Sequence, residues 1–180
     1  MIEEAPLEET PSGLLPSNEG WFVVNVRDTA WATSDQLGAG CRFENTDRPF
    51  PEFGINLNVL RPGQPNAMYH RESNQEDFLV LAGKCLLIVE GQERTLGAWD
   101  FVHCPGGIAH VFVGAGSGPC VILMVGTRDP GGEVFYPVSG LARRNSAGVE
   151  VGTSSPPEAY ENIAPFRAER PPDWDELPWA

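Results

Sequence analysis

Between residues 76 and 137 the chain breaks into short apolar segments, each closed by a turn signal: "EDFLVLA" 76–82, "KCLLIVE" 84–90, "WDFVHC" 99–104, "AHVFVG" 109–114, "CVILMV" 120–125 and "GEVFYP" 132–137. Gly83, "EGQE", "PGG" and "GAGSG" punctuate them. Segments this short cannot form helices that bury a face. As strands they succeed one another too closely for crossover helices, which leaves an antiparallel all-β sandwich or barrel. Upstream, "WFVVNV" 21–26, "INLNVL" 55–60 and residues 67–72 complete the expected strands, and "RPGQPN" after residue 60 is a strong turn. The 20 glycines and 17 prolines fit many turns and little helix.

Three of these segments, "FLVLA", "CLLIV" and "CVILMV", are apolar on both faces. A barrel with a wet exterior alternates more cleanly, so something covers the outside. The chain's own ends and a sheet-mediated homodimer are both open. Residues 1–19 are acidic and Pro/Ser-rich and read as a flexible tail, residues 20–139 as the barrel, and residues 140–180 as a C-terminal helix and arm. "SPPE" 155–158 fits a capping box with Ser155 as N-cap and Glu158 at N3. Phe166, Trp174 and Trp179 give the Pro-rich arm the anchors to lie on the barrel or on a partner subunit.

A net charge of -13 repels phosphate backbones and anionic lipid heads, which argues against nucleic acid and membrane surfaces as partners. The acidic start lacks the basic and apolar regions of a signal peptide, so a cytoplasmic location is expected. Cys41, Cys85, Cys104 and Cys120 are widely spaced and read as packing thiols.

"MYHRESNQEDFLVLAG" 68–83 places His70, Glu72 and Glu76 on even positions with Phe78 and Val80. Alternate residues of a strand share a face, so a histidine and two carboxylates point where a core should be.

Two stretches resemble the cupin family. "GQPNAMYHRESNQEDFLVLAG" resembles the first cupin motif, G-x5-H-x-H-x3or4-E-x6-G, with His70 at the first histidine and Glu76 and Gly83 at the expected spacing. "WDFVHCPGGIAHVFVG" resembles the second, G-x5-P-x-G-x2-H-x3-N, through Pro105, Gly107 and His110. Four positions depart: six residues rather than five precede His70, Glu72 stands at the second histidine, Trp99 at the second motif's first glycine, and Gly114 at its asparagine. The resemblance implies an antiparallel double-stranded β-helix, or jelly-roll, barrel. It also implies that the strand 70–78 neighbours the strand 109–113, with His110 opposite His70, Glu72 and Glu76 in the barrel mouth.

Burying two carboxylates without a counter-charge costs several kcal/mol each, on the order of magnitude known for buried ions. No lysine or arginine shares their strand face. A divalent transition metal (Fe, Mn, Zn, Ni or Co) solves this, with His70, Glu72, Glu76 and His110 as candidate ligands. Without Glu72, the other three form a two-histidine, one-carboxylate set with open positions, and Glu72 becomes a candidate catalytic base. The expected function is a metal-dependent enzyme acting on a small polar molecule, by dioxygenase or isomerase chemistry. The alternatives are a non-catalytic binding or sensor module with a structural or lost metal, and a metal-free interaction protein. Cys104 has a smaller claim on the pocket; His103, Tyr69, Trp99 and the "LARRN" arginines read as surface or packing residues.

Overall fold

A computed structural model describes residues 1–179. An N-terminal hairpin, β1 (Leu7–Thr10) and β2 (Gly13–Pro16), is followed by β3 (Ala30–Ser34), β4 (Gly38–Arg42) and β5 (Phe53–Leu60). Next come β6 (Arg71–Glu72), β7 (Glu76–Ala82), β8 (Lys84–Val89), β9 (Gln92–Gly97) and β10 (Phe101–Cys104). Then follow β11 (His110–Ala115), β12 (Cys120–Thr127) and β13 (Val134–Phe135). Two short helices, α1 (Gly140–Arg144) and α2 (Pro156–Ala159), and one 3-10 turn, Trp174–Glu176, end the chain.

The strands form a six-stranded sheet, β10-β7-β12-β5-β4-β3, facing a smaller sheet, β11-β8-β9. Their strand pairs are antiparallel, as a jelly-roll requires. The segment before β6 extends the smaller sheet through bridges Pro65–Val113 and His70–His110, and β13 pairs with β6. Between the sheets lies a core of Phe78, Val80, Leu87, Phe112, Ile122 and their neighbours.

The doubly apolar strands are explained by the chain's own C-terminal region, which covers both outer faces. On the large sheet, Leu57, Val59 and Val121 pack with Trp31, Leu177, Trp174 and Trp179. Trp31 meets Trp174 edge-on at 5.5 Å and Trp179 at 5.5 Å. Asp173 anchors this arm by pairing with Arg61, Arg61 Nη2 donating to Asp173 Oδ1 at 2.9 Å. On the small sheet, Ile88, Val111 and Val113 pack under Ala142 and Ala147. Ser139 caps α1 through its hydroxyl, which accepts from the Ala142 N–H at 3.3 Å.

Three local expectations differ. Residues 7–16, expected as part of an unpatterned tail, pair as a hairpin. Residues 21–26 form no strand beyond a bridge at Trp21; the Asn25 carbonyl accepts from the N–H groups of Asp28 and Thr29, closing a turn. The strands there are instead β3 and β4, whose Ala and Gly residues dilute the apolar alternation that marks a strand in sequence. Ser155 does precede α2, but its hydroxyl makes no cap; Glu158 accepts from the Thr153 hydroxyl instead.

Trp31 is the buried centre of the arm contact, 1% exposed. Trp31→Ala is expected to cost about 3–5 kcal/mol of unfolding free energy, read from urea denaturation, because the arm loses its platform.

Candidate metal centre

The strand 67–78 expected from sequence is interrupted. Residues 73–75 bend, so β6 and β7 belong to different sheets. β7 neighbours β10 and β12 and does not pair with β11; His70 alone bridges to His110. That bridge is reciprocal: His110 N–H donates to His70 O at 2.8 Å and His70 N–H to His110 O at 3.2 Å. The two sheets then face each other across the mouth. Ligand atoms of His70, Glu76 and His110 lie within 4.8 Å of one another.

Both imidazoles are held in one tautomer. His70 Nδ1 lies 2.7 Å from Met68 O and His110 Nδ1 lies 3.0 Å from Ile108 O. A carbonyl only accepts, so each Nδ1 carries the proton and each Nε2 offers a lone pair. Nε2 of His110 is 3.5 Å from Glu76 Oε2, and Nε2 of His70 is 3.7 Å from Glu72 Oε1. This is how metal-ligating histidines are oriented, with the far nitrogen tied to a carbonyl.

The structure brings His70, Glu76 and His110 together in the interior and leaves Glu72 at the rim. Side-chain exposure is 2% for His110, 11% for His70, 17% for Glu76 and 36% for Glu72. Burial pushes the Glu76 carboxyl up to about 8, with the Glu72 charge adding to it. Burial pulls the His110 imidazole down to about 4, and His70 adds to that. The pocket therefore disfavours charge on either side chain until a cation arrives. The donor set, two imidazoles with Nε2 turned inward and a largely buried carboxylate, fits a divalent transition metal.

No arginine shares the strand face of these carboxylates, but Arg128, from elsewhere in the chain, lines the same pocket. It does not neutralise Glu76, because its guanidinium is spent on both oxygens of Glu44 and on the Phe50 carbonyl. Asn56 and Asn66 also line the pocket. Asn66 Oδ1 accepts from Phe112 N–H at 2.8 Å, and Asn58 Nδ2 donates to Asn56 Oδ1 at 2.8 Å. The asparagines of "INLNVL" thus face inward, and Leu57 and Val59 face outward under the arm. Their alternation was visible in sequence, but which face was interior was not. Tyr136 and Tyr160 carried no sequence signal. Tyr136 packs on His70 at 5.7 Å, and Tyr160 Oη accepts from the N–H of Met68, the residue whose carbonyl orients His70.

The remaining candidates lie elsewhere. Cys104 is buried in the core, and burial pushes its thiol up to about 11, which disfavours the thiolate that a nucleophile needs. His103 contacts Asp77 at 2.6 Å on an exposed edge. Arg143 of "LARRN" pairs with Glu150. Trp99 is 74% exposed with φ 75°, the backbone conformation for which glycine is usual at its motif position. At Gly114 a Cβ would lie 2.1 Å from the Arg61 carbonyl, which leaves no room for the motif's asparagine.

Residues 56–126 match the family model for the Cupin domain. Among solved structures, the chain is similar to a sugar phosphate isomerase of the cupin superfamily from Silicibacter pomeroyi, at 23% identity over 64% of this chain and 81% of that one, TM-score 0.56. It is similar to the polyketide cyclase RemF from Streptomyces resistomycificus, at 19% identity over 61% of this chain and 82% of that one, TM-score 0.52. A candidate sugar phosphate isomerase from Acidithiobacillus ferrooxidans shares 30% identity over 46% of this chain, with TM-score 0.44, and the match spans 55% of that protein's length. No curated protein matches the chain in sequence.

Metal-free protein should show the cost of the buried carboxyl. Glu76 keeps its proton in the folded state from its ordinary 4.5 up to about 8, where the unfolded chain has lost it, so its contribution to stability falls as pH rises through that window. His110 acts in the opposite sense, but only between about 4 and 6.5. Between pH 6.5 and 8 the melting temperature of metal-free protein should therefore fall more steeply than that of Glu76→Gln. Parallel curves would contradict the assignment.

Proposed function

We propose, from the match of residues 56–126 to the Cupin domain model, that the chain is a cupin and a metal-dependent enzyme acting on a small organic molecule. His70, Glu76 and His110 would hold a divalent transition metal, and Glu72 would serve as the proton-transfer group. The observation that carries this reading is the pair of imidazoles locked with Nε2 inward around a largely buried carboxylate that has no lysine or arginine partner among the described residues. Three protein ligands leave coordination positions open, as catalytic rather than structural sites do.

When bound, the metal supplies Lewis-acid polarisation of a substrate oxygen or a site for O2. The chain's own residues do the rest. The Met68 and Ile108 carbonyls hold the imidazole rings. Phe78, 5.0 Å from the His110 ring, keeps water from the inner side of the site. Glu72, half-exposed at the rim with Oε1 3.7 Å from His70 Nε2, takes a proton from substrate and passes it to solvent. Oxygenation of an organic acid or phenol and isomerisation of a sugar both fit this arrangement.

Four buried thiols suit a reducing compartment, which supports a cytoplasmic location. Trp99 and Phe101 stand 74% and 64% exposed at and beside the edge strand β10, and an apolar edge with unpaired backbone groups supports a homodimer.

Elemental analysis of protein purified without added metal tests the centre. About one equivalent is expected in the wild type and less than about a tenth in His110→Ala, since a ligand is lost outright. Glu72→Gln should retain metal and lose turnover. Equal metal content in wild type and His110→Ala would remove the basis for the proposal. For the dimer, light scattering should give twice 19.6 kDa for the wild type and a single 19.6 kDa for Trp99→Ser/Phe101→Ser.

A further inference from the structure

The inner face of the large sheet is wider than the core it encloses. Two cross-strand rows run along it: Ala32–Gly40–Asn58–Ile122–Val80 and Ala30–Arg42–Asn56–Met124–Phe78. At one end, Phe78, Val80, Ile122 and Met124 are closed over by Leu87 and Phe112 of the small sheet. At the other end, over β3 and β4, no strand of the small sheet follows. The face there lines a cavity of about 770 Å³. This cavity shares Gly54, Asn56 and Arg128 with the metal pocket of about 270 Å³, so the two are neighbours across one wall.

The cavity has three distinct parts. Its floor is Ala30, Ala32 and Gly40, flat because none of the three projects beyond a methyl group. Leu15 of the N-terminal hairpin and Phe166 of the C-terminal arm contribute to its lining. Arg42 also lines it, exposed and without an ion-pair partner among the described residues, in a chain of net charge -13. Asn56 spends its carbonyl oxygen on Asn58, which leaves both protons of its own amide for another acceptor.

We propose that this cavity is the subsite for the body of an elongated, flat organic anion whose oxygen-bearing head lies at His70, Glu76 and His110. Three strand spacings separate β7 from β4, so such a molecule is roughly 14 Å long. Its flat body lies on the Gly/Ala floor between Leu15 and Phe166. Its anionic group pairs with Arg42, and its carbonyl or hydroxyl oxygens accept from Asn56. The volume is that of a small-molecule site. The enclosing hairpin and arm belong to the same chain, and the lining polar groups continue into the metal pocket. Both point to a small molecule rather than a second copy. The inference rests on the proposed metal centre only for the position of the head.

Gly40 offers a clean test. A Cβ there would meet Leu57 O at 3.5 Å and Asn58 Oδ1 at 3.8 Å, ordinary contacts, so a larger side chain fills the cavity without straining the sheet. The probe is 2-naphthoate, whose fused rings cover the floor and whose fluorescence reports binding. Gly40→Leu should bind it about tenfold or more weakly than the wild type, with unchanged metal content, and Arg42→Gln about threefold or more weakly. The same ratio should persist between metal-stripped proteins, so a failure of the metal centre, read by elemental analysis, is separable from a failure of the subsite. If Gly40→Leu does not fold, Ala32→Leu on the neighbouring strand replaces it. Equal affinity of wild type and filled variant overturns the proposal, as does a change of oligomeric mass in Gly40→Leu, which would mark the face as a contact between copies.

Discussion

Two backbone hydrogen bonds exchanged by His70 and His110 hold the mouth of this barrel together. They tie the segment before β6 to the small sheet. The bend at residues 73–75 then carries the chain into the large sheet, where Glu76 opens β7. Glu76 reaches the histidines from the opposite wall. The site therefore exists only because the two sheets face each other at this separation. Phe78, Phe112 and Ile122 set that separation by filling the space between them.

The same closure creates the electrostatic problem that the site embodies. A carboxyl raised to about 8 and an imidazole lowered to about 4 are both groups pushed toward neutrality by lost hydration. The protein has an arginine at the pocket wall and does not use it for relief, because Arg128 is committed to Glu44. The polar groups of the pocket are instead oriented by neutral partners: the Met68 and Ile108 carbonyls and the Phe112 N–H. A pocket organised this way favours the protonated carboxyl until a cation enters, and the balance then favours the ionised carboxylate. Cation binding should accordingly release a proton.

Much of this was legible beforehand, for identifiable reasons. β7, β8 and β12 are dense in Leu, Val and Ile and bounded by glycines, so their extent was readable to within two residues. Gly83 was readable as a turn, and its φ of 73° and the closeness of the Pro119 carbonyl show why only glycine serves there. β3, β4 and β9 were missed because "AWATS", "GAGCR" and "QERTLG" lack the apolar alternation by which strands announce themselves. β9 lies at a sheet edge and is mostly exposed, where burial demands less of the sequence. The extra cover predicted for the doubly apolar strands is real. That the chain supplies it from its own C-terminal region depends on Trp174, Leu177 and Trp179 finding Trp31, a contact across more than 140 residues.

By itself the sequence determined the strand-and-turn succession, the two motif stretches and the kinds of side chain available for chemistry. These are local properties, written in alternation and spacing. Only the tertiary structure decided which face of each strand was interior, that Glu72 stands at the rim while Glu76 is enclosed, and that Asn56, Arg128, Tyr136 and Tyr160 belong to the surroundings of His70 and His110. The physical reason is that each of these turns on burial and on contacts between distant segments. The cost of removing a charge from water depends on what the rest of the chain places around it.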